Sequence, residues 1–255
     1  MKSFVAFFKK ELLQSARGGT LWILIGIFLL FGIMNPAIAK LTPWLMEIMA
    51  EELELSGMSV TAVSADALAS WAQFFKNIPM ALIAFVFIYS NIFTKEYSSG
   101  TLILVLTKGL SRYKVVIAKS VFMLLLWSVG YWLSFGVTYV CNDVLWDNSI
   151  AANLMPAVVH QWLFGVFIIA LIVLFSAISS NYIGVLLGTG GCVFALYLAG
   201  LVPKIAKYLP TSLMSSAAYV GAASAEKYTA AAVITAVCGV AFIAVSVPIF
   251  NKKQL

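Results

Sequence analysis

Six long apolar runs govern this chain, and each is long enough to cross a lipid bilayer. A helix of about 20 apolar residues spans the hydrocarbon core. The runs are Leu21–Ala39, Ile78–Thr94, Val115–Val140, Ala157–Ser179, Tyr182–Val202 and Tyr228–Phe250. They are continuous and lack the alternation of an outer-membrane strand, so helices are expected rather than a barrel. Composition agrees: 62% of the residues are hydrophobic and 10% charged, where soluble domains carry about a quarter charged. The expected fold is all-α, one polytopic membrane domain of six transmembrane helices over residues 1–255.

Charge orients the bundle. With the amino terminus inside, Lys2, Lys9, Lys10, Arg17, Lys95, Lys108, Arg112, Lys114, Lys119, Lys252 and Lys253 share the inner side, eleven of the 16 basic residues. Lys40, Lys76, Lys204, Lys207 and Lys227 fall outside. Of the acids only Glu11 and Glu96 fall inside. Both termini are therefore expected in the cytoplasm, below a plasma membrane. The net charge of +6 is then a topology signal that needs no nucleic acid. The basic start, the first run and Ala37-Ile38-Ala39 imitate a secretory leader and its cleavage site. The basic stretch is long and patterned, so the segment is expected to remain as a span.

Residues 2–17 read as an amphipathic helix ended by Gly18-Gly19. Phe4, Val5, Phe8 and Leu12 fall on one face, with Lys2 and Lys9 opposite. Such a helix lies among lipid headgroups. Glu11 breaks the apolar face. Its carboxylate either bends up to water or pairs with a cytoplasmic loop, because an unpaired buried charge is costly.

Glu47, Glu51 and Glu54 share a helical face in the first outer loop, residues 40–77. They form a solvated acidic extension or attract a cationic substrate. Ser56-Gly57-Met58-Ser59 is expected to break that helix, and a second helix from about Asp66 leads into the second span past Pro79. Residues 203–227, with Pro203 and Pro210, are neither a full span nor a hydrophilic loop, and a re-entrant outer segment fits them. Gly184-x-x-x-Gly188 gives the fifth span a small-residue face, suited to packing within the chain or between subunits.

Much chemistry is absent. No charge lies in the middle of a span, which argues against a proton-coupled carrier while leaving sodium sites of carbonyls and hydroxyls open. Lys119 lies about one turn inside the third span and is expected to snorkel to the surface. There is no G-x-x-x-x-G-K-[ST] loop for ATP. His160 is the one histidine, reads as an interfacial polar residue, and has no G-x-S-x-G partner motif. Cys141, Cys192 and Cys238 show no metal-type spacing and read as small buried hydrophobes. The residues thus point to a path-forming bundle powered, if at all, from outside itself, and not to an enzyme.

After the second span the sequence becomes specific. Glu96-Tyr97-Ser98-Ser99-Gly100-Thr101-Leu102, then Leu106-Thr107, Ser111-Arg112 and Lys119, resemble the cytoplasmic loop of type-2 ABC exporter permeases, which commonly read E-x-x-x-G-T-L, L-L-T/S, S-R and K. Lys9-Lys10-Glu11-Leu12-Leu13 with Arg17 resembles that family's elbow helix. The resemblance implies a bacterial permease that pairs with a second permease, identical or related, and with two cytoplasmic ABC ATP-binding subunits. ATP and Mg would be bound by those subunits and no cofactor by this chain. It implies a coupling loop at 95–114 with Glu96, Gly100, Thr101, Arg112 and Lys119 as coupling residues, and an elbow with Glu11 and Arg17. Glu96 would complement the amides at the start of a coupling helix, and Gly100 would permit close backbone approach. Gly184 and Gly188 would serve helix packing or a dimer interface. Many members have Pro shortly before the Ser-Arg pair. This chain has Lys108-Gly109-Leu110, and the glycine is expected to loosen the turn. A gradient-driven carrier or channel, or a ligand-sequestering immunity protein, are the other classes the residues leave open.

Overall fold

Five of the six apolar runs fold into helices that begin earlier or end later than hydropathy alone predicts. A computed structural model describes residues 2–55, 65–107, 109–220 and 228–253. Its helices are α1 (Lys2–Arg17), α2 (Thr20–Leu55), α3 (Ala67–Tyr89), α4 (Thr94–Ser98), α5 (Thr101–Thr107), α6 (Arg112–Leu145), α7 (Leu154–Ile178), α8 (Tyr182–Ala199), α9 (Pro203–Ala206) and α10 (Thr229–Lys252). No strand occurs among the described residues. Among the described residues six helices are long and apolar enough to cross a membrane: α2, α3, α6, α7, α8 and α10.

The differences from expectation lie at the ends. The acidic extension is continuous with the first span, so α2 runs through Pro36 and Pro43 to Leu55. The break expected at Ser56-Gly57-Met58-Ser59 lies outside the described residues. The short helix from Asp66 and the second span are one helix, α3. The Asp66 carboxylate accepts from Ala69 N at 2.8 Å and caps it, as short acidic side chains do at free helix amides. Residues 203–220 form α9 and a 3-10 helix, Pro210–Tyr219, laid against α7 and α10. Residues 221–227 of that segment lie outside the described residues. The three cysteines are half-buried rather than buried.

The bundle centres on α6 and α7. Helix α6 touches α1, α2, α3, α7 and α10, and α7 also holds α8 and the 3-10 helix. Trp127 of α6 sits fully buried between Phe28 of α2 and Phe85 of α3, at ring separations of 5.7 and 5.9 Å. It donates its indole N–H to Trp162 O of α7 at 3.1 Å, and Tyr131 donates to Val158 O at 2.7 Å. In lipid these polar tips have no water to turn to, so a protein acceptor is required. Trp22 and Trp44 are exposed at the two ends of the α2 span. At 1.5 Å per residue they stand about 33 Å apart, matching interfacial aromatic positions on a core about 30 Å thick.

Prolines inside spans create a specific debt. Each deletes the N–H that would bond the carbonyl four residues earlier. Pro36 frees Gly32 O, and Thr138 of α6 donates its hydroxyl to that carbonyl at 2.9 Å. Asn35 donates to Thr138 Oγ1 at 3.1 Å and accepts from Asn77 at 2.8 Å, tying α2, α3 and α6 together. Pro79 frees Phe75 O, and the buried Gln161 of α7 donates to it at 3.0 Å. The carbonyls freed by Pro36 and Pro79 thus find donors on the two central helices. Gln161→Leu should cost about 1–3 kcal/mol by leaving Phe75 O unsatisfied. In a Pro79→Ala background the restored amide can bond that carbonyl, and the same change should cost much less. Unfolding of the four proteins in detergent measures this, and equal losses in both backgrounds would refute the pairing.

Candidate functional site

The site is built at the end of the bundle that carries α1, the 94–112 loop and the end of α10, hereafter the basic end. Helix α1 lies against the start of α6. Its protein-facing residues are Phe7, Glu11 and Ser15, spaced by one turn and all buried. Of the expected apolar face, Phe4 and Phe8 pack half-buried against the core, while Val5 and Leu12, with Leu13, are exposed. The face was chosen by hydropathy, whereas the packing follows the residues that have partners on α6 and α3.

Those partners are charges. Lys119 of α6 lies 3.1 Å from Glu11 Oε1 and 3.1 Å from Glu96 Oε2 of α4. Lys10 lies 3.0 Å from Glu11 Oε1 and donates to Glu96 Oε1. Each carboxylate meets two ammonium groups and each ammonium meets two carboxylates, so the quartet is neutral. The Glu96 Oε2 contact with Lys119 lacks hydrogen-bond geometry and is a charge pair only. Lys119 donates instead to Glu11 and to Ile92 O, the latter at 2.9 Å. Phe7 and Phe93 flank its ammonium at 5.6 and 5.5 Å, close enough for cation–π attraction. Lys119 is 1% exposed, so it does not snorkel to the surface as its position suggested. Two buried carboxylates turn it inward.

Lys10 is the partly open member, with 38% of its side chain exposed. Burial acts to lower its pKa, but the hydrogen bond to Glu96 and the charges of Glu11 and Glu96 outweigh this and hold it above the usual lysine value. A raised lysine pKa contributes stability that is complete below the unfolded value and is lost only as pH rises through the folded one. Lys10 therefore stays charged across neutral pH. A polar cavity of about 330 Å³ opens beside it, lined in part by Gln14, Ser15, Tyr89, Asn91 and Lys95. Ser15 and Tyr89 join hydroxyls across it at 3.2 Å.

Beyond Glu96 the chain turns twice, each time at a glycine. Gly100 has φ +66° and separates α4 from α5, and Gly109 has φ +88° before α6. A Cβ on either would meet nothing within 4 Å. Within the chain, then, it is the left-handed backbone that requires glycine at Gly100, and Gly109 is a defined turn rather than a loosened one. Thr101 is exposed at the start of α5, with its hydroxyl 2.9 Å from that of Ser99. Arg17 is exposed in the last turn of α1.

Arg112 faces the end of α10. Its Nη1 lies 3.4, 3.1 and 2.6 Å from the carbonyls of Phe250, Asn251 and Lys253. Lys253 in turn donates to Ser176 O and Ser179 O at the end of α7, at 3.1 and 2.6 Å, and lies 4.3 Å from the centre of the Tyr97 ring. Burial pushes its ammonium down to about 8. Either protonation state keeps an N–H for each carbonyl. The Tyr97 hydroxyl donates to Ser176 O at 3.0 Å. Of these residues the sequence singles out Glu11, Glu96, Arg112 and Lys119, and it does not single out Lys10, Tyr97 and Lys253, which make the same network of contacts. Lys10 was masked by its neighbour Lys9 on an apparently solvated face. The acceptors of Lys253 and Tyr97 are backbone carbonyls, which no side-chain pattern reveals.

The glycines of α8 lie apart from this end cluster. A Cβ at Gly188 would come within 2.3 Å of the Phe175 ring of α7, so that position serves close packing within the chain. One at Gly184 would come within 2.1 Å of Ser179 Oγ. There Asn181 caps α8 by accepting from Gly184 N at 2.6 Å.

Removing one member of the quartet leaves an uncompensated buried charge. Lys119→Met should cost about 3–5 kcal/mol of stability, and Glu11→Gln should cost more than Lys9→Gln, which should stay within about 0.5 kcal/mol at its exposed site,. Denaturant unfolding in detergent checks the order. Equal effects for Glu11 and Lys9 would show that the quartet adds nothing.

The chain matches the family model described as ABC-2 family transporter protein over residues 5–255. Among curated proteins none matches it. The family match extends from α1 through all six apolar helices to the end of α10, and includes every residue of the quartet and of the loop that follows it. The chain therefore belongs to the ABC-2 transporter family and is a multi-pass membrane permease subunit.

Proposed function

We propose that this permease is the membrane subunit of an ATP-driven exporter, coupled through residues 95–114 to separate cytoplasmic ATP-binding subunits that hold ATP and Mg. It works beside a second permease, and the cargo path runs between the two. Both termini face the cytoplasm of a bacterial plasma membrane, with Val5, Leu12 and Leu13 of α1 turned to lipid and residues 203–227 re-entering from the outer side. The observation that carries this reading is the junction at Lys119, which joins α1, the loop and a central span through buried charge.

Closure of the ATP-binding subunits would press on the exposed side of α4 and α5, where Ser98, Ser99, Thr101 and Ile103 lie open. Glu96 sits on the opposite, buried side of α4. Its role is to fasten the loop to α1 and α6, so that a push on the loop moves all three. Desolvated, mutually paired charges resist separation, which suits a rigid joint better than apolar contacts that slide in lipid.

Purified alone, the chain should hydrolyse no ATP. In vesicles, accumulation of an amphipathic fluorescent dye should require an added ATP-binding subunit and its ATP. Glu96→Ala together with Gly100→Leu should leave the protein inserted and hydrolysis running, but lower dye moved per ATP by at least about tenfold, a coupling loss of roughly 1.4 kcal/mol. Strong accumulation by the chain alone under a sodium or proton gradient would overturn the reading in favour of a secondary carrier.

A further inference from the structure

We propose that Tyr97, Arg112 and Lys253 are positioning residues that clamp the last turns of α7 and α10 to the 94–112 loop, so that displacement of the loop is passed to α7 and α10 as well as to α1 and α6. The inference rests on the coupling role given above to that loop. It adds a second route out of it, on the side away from the charge quartet.

The chemistry is that of helix ends. The final carbonyls of a helix have no amide partners within it and carry its negative pole. Where such a helix end is part-buried, side-chain donors from the protein take the place of water. At α10 the donor is Arg112, whose Nη1 reaches the carbonyls of Phe250, Asn251 and Lys253. At α7 the donors are Lys253 and Tyr97, which share Ser176 O. The three residues come from three elements: Tyr97 from α4, Arg112 from the first turn of α6 and Lys253 from the cap of α10. Each donor therefore crosses from one element to another, and none merely closes its own helix.

The clamp also has a packed centre. Phe250 is fully buried, with its ring 6.0 Å from Phe93 and 6.2 Å from Tyr97. Phe93 touches the Lys119 ammonium on its other side. The short stretch 93–97 thus holds the quartet with Phe93 and Glu96, and the ends of α7 and α10 with Phe93 and Tyr97. A loop gripped on both sides cannot shift without taking both halves of the bundle with it. The half formed by α7, α8 and α10 has no member of the quartet, and the clamp gives it a polar tie to the loop.

Two measurements test this. The first uses the permease alone: Lys253→Ala and Tyr97→Phe together should speed amide hydrogen exchange at Tyr97–Leu102 by about tenfold, and Lys253→Arg should restore protection. Unchanged exchange would overturn the clamp. The second uses the complex with its ATP-binding subunits, in a cysteine-free background. Cysteines at the exposed positions Ser98, Met155 and Val233 report the loop and the far ends of α7 and α10. ATP should change the reactivity of all three in the parent. With Lys253→Ala and Tyr97→Phe it should still change that of Ser98→Cys but no longer that of Met155→Cys and Val233→Cys. If the far reporters still respond, the clamp does not transmit. If the parent shows no ATP response at Ser98→Cys, the coupling reading fails and this transmission role fails with it, while the exchange measurement still decides whether the clamp holds the loop.

Discussion

An ammonium group as fully buried as that of Lys119 must be surrounded by its own counter-charges, and it imposes that condition on the whole basic end. Its position on α6 requires a carboxylate from α1 and another from α4. Glu11 can supply the first only if α1 folds down against α6, and Glu96 the second only if the chain turns back immediately after α3. Two carboxylates around one ammonium would leave a net negative charge, and Lys10 removes it. The desolvation cost of such a group is several kcal/mol per ion and is recovered only with good geometry. The arrangement therefore fixes positions more than it adds stability. For a permease moved from outside, a fixed position is the useful property.

The rest of the bundle follows a related rule, applied to carbonyls instead of charges. Lipid offers no hydrogen bonds, so a neighbour's donor is favoured wherever a helix is broken in the bundle. Thr138 closes the gap left by Pro36 and Gln161 the gap left by Pro79. Arg112, Lys253 and Tyr97 close the ends of α10 and α7. Because the donors sit on α4, α6, α7 and α10, satisfying the backbone also decides which helices are neighbours. The apolar surface, nearly uniform along each span, could not make that choice on its own.

This division explains what was legible. The six spans, the helical nature of residues 2–17 and the permease resemblance follow from hydropathy, glycine punctuation and a loop motif, and all can be read locally. The buried face of α1 could not, because Glu11 and Ser15 belong to it for reasons located on α6 and α3. Lys119 read as a snorkelling residue for the same cause: one partner, Glu11, lies 108 residues away, and the other, Glu96, lies across the intervening loop. Gly109 read as a loosened turn because sequence shows a missing proline but not a positive φ. Glu11 as an ion-pair member was one of two open readings, and the exposure of Lys10 beside it concealed the other half of the arrangement.

The most direct test of the buried junction is a double-mutant cycle between Glu11 and Lys119, with Glu11→Gln, Lys119→Met and the pair compared by unfolding in detergent. If the two side chains act as one electrostatic unit, the double mutant should be less destabilised than the sum of the singles by about 0.5–3 kcal/mol. Additive losses would contradict the junction and leave α1 held to α6 by apolar packing alone.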